Sequence, residues 1–214
     1  MPGSPGRPDP LPRHGGGRRL RIGLLGGSFN PAHAGHAHIA RAALRALRLD
    51  QVWLLVSPGN PLKPGNGMAP LEQRLASARR IGSGRRIIAT AIEAALGTRY
   101  TADTIAALKR RFPRCRFVWL MGADNLSQLP RWNRWQEIVR AIPIAVLPRP
   151  GETRRALAGQ AARMLHAARR PAIAAAALAD AAPPAWTWLP IRENSISATA
   201  LRRARACAFE GESP

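Results

Sequence analysis

Short apolar runs alternate with segments of helical periodicity along most of this chain, and this alternation limits the fold more than any other feature. The apolar runs predict strands at residues 21–25, 51–57, 85–89, 116–121, 142–147 and 186–189. Helical spacing and helix-start signals predict helices at residues 33–47, 70–81, 101–112, 135–141, 152–170 and 198–208. Strands that alternate with helices form parallel sheets covered on both faces. The expected fold class is therefore α/β, with a doubly wound, mostly parallel sheet.

The chain of 214 residues is long enough for one ordinary domain. Residues 1–19 are rich in Gly, Pro and Arg and lack periodicity, which predicts a flexible basic tail before a single domain at 20–210. Because no run of about 18 apolar residues occurs, and the first residues do not resemble a secretory signal, no membrane association is expected. The two cysteines, Cys115 and Cys207, predict free thiols and a cytoplasmic protein.

The charge balance is strongly basic, since 33 Lys and Arg face 12 Asp and Glu to give a net charge of +21. A balance of this size makes nucleic acid, a membrane surface or an anionic substrate candidate partners. All but two of the cations are arginines, and the chain is also rich in Ala, Gly and Pro. GC-rich coding would produce the same composition, so the charge alone does not select a partner.

Residues 26–36 read Gly-Gly-Ser-Phe-Asn-Pro-Ala-His-Ala-Gly-His, between the first predicted strand and the first predicted helix. Glycines let the backbone approach a phosphate, and a helix N-terminus offers free N–H groups and a positive dipole end. His33 and His36 are three residues apart, on one helix face, and can point at the same anion. Neither a P-loop nor a dinucleotide fingerprint is present. No nearby Cys or carboxylate completes a tetrahedral metal site, so a phosphate site without a metal is predicted.

Further strings follow in a fixed order: 61–63 (Pro-Leu-Lys), 100–104 (Tyr-Thr-Ala-Asp-Thr), 121–126 (Met-Gly-Ala-Asp-Asn-Leu) with tryptophans at 132 and 135, and 196–202 (Ile-Ser-Ala-Thr-Ala-Leu-Arg). With these motifs the chain resembles the HxGH nucleotidyltransferase superfamily, and more closely the family of bacterial nicotinate-nucleotide adenylyltransferases. The resemblance implies a Rossmann-like nucleotidyltransferase fold. It also implies the reaction of ATP with nicotinate mononucleotide to give nicotinate adenine dinucleotide and pyrophosphate, in NAD biosynthesis.

The resemblance also implies roles for individual residues. Catalysis would fall to three side chains that stabilise charge on the α-phosphate and the leaving pyrophosphate: His33, His36 and Arg202. ATP would be bound by Gly27, Ser28, Phe29, His33, His36, Gly122, Asp124, Ser197, Thr199 and Arg202. The mononucleotide would be bound by Asn30, Lys63, Thr101, Trp132 and Asn133. Residues 190–210 would thus include a phosphate-binding segment.

In this scheme Trp132 would stack on the pyridine ring, while the backbone N–H groups of Thr101 and Asn133 would meet the carboxylate. Asp124 would lie near the ribose or an Mg²⁺-bound water, with Mg²⁺ carried by ATP, the substrate. Lys63 would meet the mononucleotide phosphate. Donors around the carboxylate favour the acid over the amide.

Three positions depart from the family pattern: Asn30 replaces Asp, Leu62 replaces His and Ala198 replaces Ser. Two alternatives stay open. One is an adenylyltransferase that acts on nicotinamide mononucleotide or another phosphate acceptor. The other, from a different class, is a basic nucleic-acid-binding module, for which the net charge of +21 is the motive.

Overall fold

The strands of the sheet, except for one two-residue strand of arginines, form where the sequence has short apolar runs. This computed structural model describes residues 11, 18–59, 67–82 and 84–191. Within them the strands are β1 (Arg21–Gly27), β2 (Gln51–Val56), β3 (Ile87–Thr90), β4 (Arg116–Gly122), β5 (Ile144–Leu147), β6 (Arg169–Arg170) and β7 (Trp186–Trp188). They form one sheet in the order β3-β2-β1-β4-β5-β7-β6, and every pairing is parallel.

Helices connect the strands and cover both faces of the sheet. They are α1 (Ala34–Ala46), α2 (Leu71–Ile81), α3 (Ile92–Leu96), α4 (Thr101–Arg111), α5 (Ala123–Gln128), α6 (Trp135–Ala141), α7 (Thr153–Leu157) and α8 (Gln160–Met164). Turns of 3₁₀-helix form at Leu129–Arg131, His166–Ala168 and Ala172–Asp180. In the described part of the chain, no helix combines the length and apolarity that crossing a membrane requires.

Alternate residues of each central strand enter two separate apolar clusters. Ile22 and Leu24 of β1 and Trp119 of β4 are buried in one cluster, whereas Leu25 and Leu120 are buried in the other. This alternation follows from the two-residue period of a strand, which sends successive side chains to opposite faces. A sheet buried on both faces confirms the predicted doubly wound α/β fold.

The chain winds outward in two directions from the centre of the sheet. From β1 it continues through β2 to β3 on one side, whereas from β4 it continues through β5 to β6 and β7 on the other. The direction of winding therefore reverses between β1 and β4, which are paired neighbours. Ligands of open α/β sheets bind outside the carboxyl ends of the strands at such a switch point.

The prediction of one helix over 152–170 is wrong. The segment instead forms α7, α8, the turn at His166–Ala168 and the two-residue strand β6. Gly159 separates the two helices in an extended conformation (φ −71°, ψ 164°). Helical spacing continues on both sides of Gly159, and because an isolated glycine is tolerated inside a helix at a cost of about 1 kcal/mol, the spacing alone does not place the break. The predicted helix at 198–208 and most of the predicted tail lie outside the described residues.

Gly26 in β1 leaves space for the indole of Trp119. A β-carbon at Gly26 would lie 2.9 Å from Cη2 of Trp119, a buried ring that cannot rotate away cheaply. A β-carbon at the next residue, Gly27, would meet only ordinary contacts with the Phe29 ring at 3.4 Å and beyond. The two adjacent glycines therefore have different packing demands.

We expect Gly26→Ala to lower the free energy of unfolding by about 1–3 kcal/mol, because it overpacks the core beside Trp119. Gly27→Ala is the matched control, and its effect should stay within about 0.5 kcal/mol. Urea unfolding of both variants measures the difference. Equal stability of the two variants would contradict this explanation of Gly26.

Candidate active site

Segments from several loops lie together at the switch point between β1 and β4. The loop after β1 carries residues 28–33, α5 begins directly after β4, and Arg149 follows β5 by two residues. All three segments leave carboxyl ends of neighbouring parallel strands. The site is therefore built from residues that are far apart in sequence and adjacent in the sheet.

Two imidazoles cap the N-terminus of α1. His33 is the N-cap residue, and its Nδ1 accepts a hydrogen bond from the backbone N–H of Gly35 at 3.2 Å. Nδ1 of His36 accepts one from the backbone N–H of His33, also at 3.2 Å. The two form a reciprocal capping box, with histidines in the places usually taken by Ser or Thr and Glu or Gln.

This capping fixes the tautomer of both rings. An Nδ1 atom that accepts a hydrogen bond carries no proton, so each neutral imidazole bears its proton on Nε2. The ring centroids are 3.9 Å apart, and the Phe29 ring lies 4.8 Å from that of His36. The structure thus brings together two Nε2–H donors whose opposite ring edges are held by the helix.

Both imidazoles are uncharged at neutral pH. Burial, the neighbouring His33 and the charge of Arg149 lower the pKa of His36 to about 3. Burial and the charge of Arg149 also lower the pKa of His33. Both rings can therefore act as hydrogen-bond donors, and the positive charge beside them belongs to Arg149.

Arg149 is a functional candidate that the sequence motifs did not single out. Its Nε lies 3.7 Å from Oδ1 of Asp124, and both atoms are buried without a hydrogen-bond partner among the described residues. A β-carbon at Gly122 would clash with Oδ1 of Asp124 and lie 3.0 Å from Nε of Arg149, so glycine at this position leaves space for both side chains. The sequence does place this arginine just after a predicted strand, but arginine is so abundant in this chain that its position does not stand out.

Asn30 links the loop after β1 to the segment before α2. Its Nδ2 donates to the carbonyl of Gly67 at 2.9 Å, and its Oδ1 accepts from the N–H of Ala69 at 3.3 Å. An aspartate at this position could accept but could not donate. The departure from the family pattern therefore has a structural explanation, since the amide joins two loops.

Arg74 of α2 holds three loops at the site through backbone carbonyls. It is 2% exposed, and it donates to the carbonyls of Ala69 (2.7 Å), Ser28 (2.8 Å), Ser57 (2.7 Å) and Pro58 (3.3 Å). Burial lowers the pKa of this guanidinium. No sequence pattern indicates this role, because the acceptors are backbone groups of distant loops.

The segments predicted to bind the mononucleotide lie on α4 and before α6. Thr101 begins α4, and the half-buried Trp132 makes an edge-to-face contact with Trp119 at a centroid distance of 6.2 Å. The exposed Asn133 follows Trp132. Trp132 thus rests partly on the core, with the rest of its ring surface open to solvent.

A carboxyl group lies against the first turn of α4. Oε1 of Glu93 accepts from the hydroxyl of Thr104 at 3.3 Å, and that hydroxyl is 2.9 Å from the hydroxyl of Thr98. Burial raises the pKa of Glu93 to about 7, although hydrogen bonds from Thr104 and Ser57 oppose the shift. Glu93 is another residue that the sequence motifs left out.

Four of the residues predicted to bind phosphates lie outside the described residues: Lys63, Ser197, Thr199 and Arg202. The departures at 62 and 198 lie there as well. Among the described residues, no group of three or more His, Cys, Asp or Glu side chains could hold a metal ion. Asp124 nevertheless presents a buried carboxylate oxygen, the ligand type that Mg²⁺ prefers.

Residues 24–204 match the cytidylyltransferase-like family, so the chain is a nucleotidyltransferase. It is 62% identical over 185 residues to a probable nicotinate-nucleotide adenylyltransferase of Gluconobacter oxydans (strain 621H), with 86% of this chain and 95% of the relative covered. A protein of the same name from Gluconacetobacter diazotrophicus is 60% identical over 188 residues, with 88% and 87% covered. The chain belongs to the nicotinate-nucleotide adenylyltransferase family.

Solved structures support the fold. The Plasmodium falciparum nicotinic acid mononucleotide adenylyltransferase complexed with NaAD superposes with a TM-score of 0.65 at 16% identity. The superposition covers 86% of this chain and 83% of that one. The complex of the same enzyme with APC gives a TM-score of 0.64 at 15% identity, again with 86% and 83% covered. The Rossmann-like nucleotidyltransferase fold expected from the motifs is confirmed.

The raised pKa of Glu93 predicts a pH-dependent stability difference. The folded state holds the Glu93 proton up to a pKa of about 7, above the ordinary value of 4.5 for a glutamate. Glu93 therefore costs stability increasingly as pH rises through this window. We expect Glu93→Gln to become more stable relative to the unsubstituted protein between pH 5 and pH 8, by at most about 3 kcal/mol.

Urea unfolding at several pH values measures this difference, and the exposed Glu137→Gln is the control. The two imidazoles titrate with the opposite sign, but they are present in every variant and cancel in the comparison. A Glu93→Gln difference that stays constant with pH would show that the carboxyl is not desolvated.

Proposed function

We propose that this chain transfers the adenylyl group of ATP to nicotinate mononucleotide, giving nicotinate adenine dinucleotide and pyrophosphate. The observation that carries the proposal is the pair of Nε2–H donors beside Arg149 at the N-terminus of α1. Relatives of 60% identity and above that carry the same family name support the substrates. The reaction would serve NAD biosynthesis in the cytoplasm.

The chemistry of this reaction needs no activated side-chain nucleophile. The attacking group is the phosphate of the mononucleotide, which is already an oxyanion, and the leaving group is pyrophosphate. The protein therefore contributes mainly orientation and stabilisation of charge on the α-phosphate. His33, His36 and Arg149 supply two hydrogen-bond donors and one positive charge, and a single donor of this kind contributes roughly 2–4 kcal/mol.

The remaining ATP contacts follow the resemblance. Gly27, Ser28 and Phe29 would contact the nucleotide through the backbone, with Gly122 leaving space at the end of β4. The β- and γ-phosphates would be held by Ser197, Thr199 and Arg202. Mg²⁺ arriving with ATP would shield phosphate charge, and Asp124 would meet its hydration shell or the ribose.

The mononucleotide would lie between α4 and the loop before α6. Trp132 would stack on the pyridine ring, where an aromatic pair adds about 1 kcal/mol. The backbone N–H groups of Thr101 and Asn133 would bind the carboxylate. Lys63 would meet the phosphate, and Asn30, which joins two loops, would position the backbone beside it.

Pyrophosphate release with ATP and a panel of acceptors tests the proposal. We expect turnover with nicotinate mononucleotide to exceed turnover with nicotinamide mononucleotide and with pantetheine phosphate. Preference for nicotinamide mononucleotide would contradict the proposal that this pocket binds a carboxylate. Tight, steeply salt-dependent binding of RNA or DNA without any pyrophosphate release would contradict the proposal and favour a nucleic-acid-binding module.

A substitution of His36 can separate catalysis from helix capping. Glutamine at this capping-box position can still accept from the N–H of His33 through Oε1, but no ring holds its amide N–H donor in the position of the imidazole Nε2. We expect His36→Gln to lower turnover about 10²- to 10³-fold while changing stability by less than about 1 kcal/mol. His36→Ala should lose comparable activity and also about 0.5–2 kcal/mol of stability, because it loses the cap.

Steady-state kinetics and urea unfolding of both variants give the comparison. Normal turnover of the glutamine variant would contradict a role of His36 in the reaction. Equal stability of the two variants would instead contradict its role in capping α1.

A further inference from the structure

An ion pair joins the two segments that would enclose the pyridine ring. Nη2 of Arg134 donates to Oδ1 of Asp103. Asp103 lies in the first turn of α4, two residues after Thr101, and Arg134 directly follows Asn133. The pair therefore lies within two residues of both backbone groups that would bind the substrate carboxylate.

The guanidinium of Arg134 makes further contacts within its own segment. Its Nε donates to Oδ1 of Asn133 at 3.1 Å, and its Nη1 donates to Glu137 at 3.4 Å. The Arg134 backbone adopts the left-handed conformation (φ 52°, ψ 41°) at the N-cap of α6. Residues with a β-carbon rarely adopt this conformation, so local contacts must hold the turn.

Asp103 creates an electrostatic problem for a pocket that accepts an acid. Its carboxylate and the carboxylate of the substrate would carry like charges in the same helical turn, which weakens binding of the acid but not of the amide. Arg134 covers Asp103 with a positive charge. The Asp103 carboxyl and the Arg134 guanidinium are 42% and 44% exposed, so the pair contributes little to folding and is free to act on the pocket.

We propose that Arg134 maintains the preference for the acid over the amide mononucleotide by neutralising Asp103 beside the carboxylate pocket. This inference rests on the proposed function. The bond from Arg134 to Asn133 also fixes the segment whose N–H meets the carboxylate, so Arg134 is a specificity-determining residue that need not touch the reacting phosphates.

Arg134→Gln exposes the charge of Asp103, so we expect kcat/KM for nicotinate mononucleotide to fall about 3- to 10-fold. The fall should come mainly from KM, while kcat/KM for the amide changes less than about 2-fold. Asp103→Asn should keep or increase the preference for the acid. The double variant Asp103→Asn/Arg134→Gln should recover most of the lost preference, because it removes both charges together.

Salt and the conservative variant provide two further readouts. The loss in Arg134→Gln should shrink as ionic strength rises from 0.01 M to about 0.5 M, because an exposed charge is screened. Arg134→Lys should keep most of the acid preference, because it keeps the positive charge. The matched controls are Arg131→Gln, an exposed cation nearby, and Glu137→Gln, which removes the other acidic partner of Arg134.

The outcomes separate this inference from the proposed function. Absence of turnover with nicotinate mononucleotide in the unsubstituted protein refutes the proposed function itself. If Arg134→Gln lowers kcat/KM equally for the acid and the amide, and the double variant does not recover it, the ion pair has only a structural role and the inference is refuted. An unchanged acid-to-amide ratio in all variants refutes the inference while leaving the enzyme's function intact.

Discussion

The cap of α1 is the interaction on which the site depends. Free N–H groups at the start of a helix need acceptors, and here two imidazole Nδ1 atoms supply them. The same bonds orient both rings and leave Nε2–H groups as donors. Formation of the helix and orientation of the two Nε2–H donors therefore depend on the same hydrogen bonds, and a change that weakens the cap also misplaces the donors.

Because of burial and charge, the imidazoles and Arg149 differ in what they offer: the imidazoles are hydrogen-bond donors, and Arg149 carries the positive charge. Desolvation and the nearby guanidinium keep His36 neutral, with a pKa of about 3. A sequence with paired histidines suggests cationic phosphate contacts, but in this structure the charge lies on Arg149 and the histidines are neutral donors. In the proposed reaction, this arrangement would provide directional hydrogen bonds to a phosphate without placing two further positive charges beside Arg149 in a partly buried site.

The loops around the site are held by side chains that do not themselves perform chemistry. Arg74 binds carbonyls of three loops, and Asn30 connects the loop after β1 to the segment before α2. Preorganised donors are effective because they need not move during the reaction, so such supports contribute to catalysis indirectly. The Asp103–Arg134 pair is proposed to support substrate choice in the same indirect way, because the positive charge of Arg134 neutralises the exposed carboxylate at the edge of the pocket.

The sequence by itself determined the strand and helix alternation, because short apolar runs and helical spacing are local signals. It also predicted that His33 and His36 lie together after the first strand, although His33 is the extended N-cap residue of α1 and does not lie on its helical face. It misjudged 152–170, where Gly159 interrupts a pattern that local spacing continues. Only the tertiary structure decided that Arg149, Arg74 and Arg134 matter among so many arginines. Their roles depend on desolvation and on partners in distant segments, and neither property is encoded in local spacing.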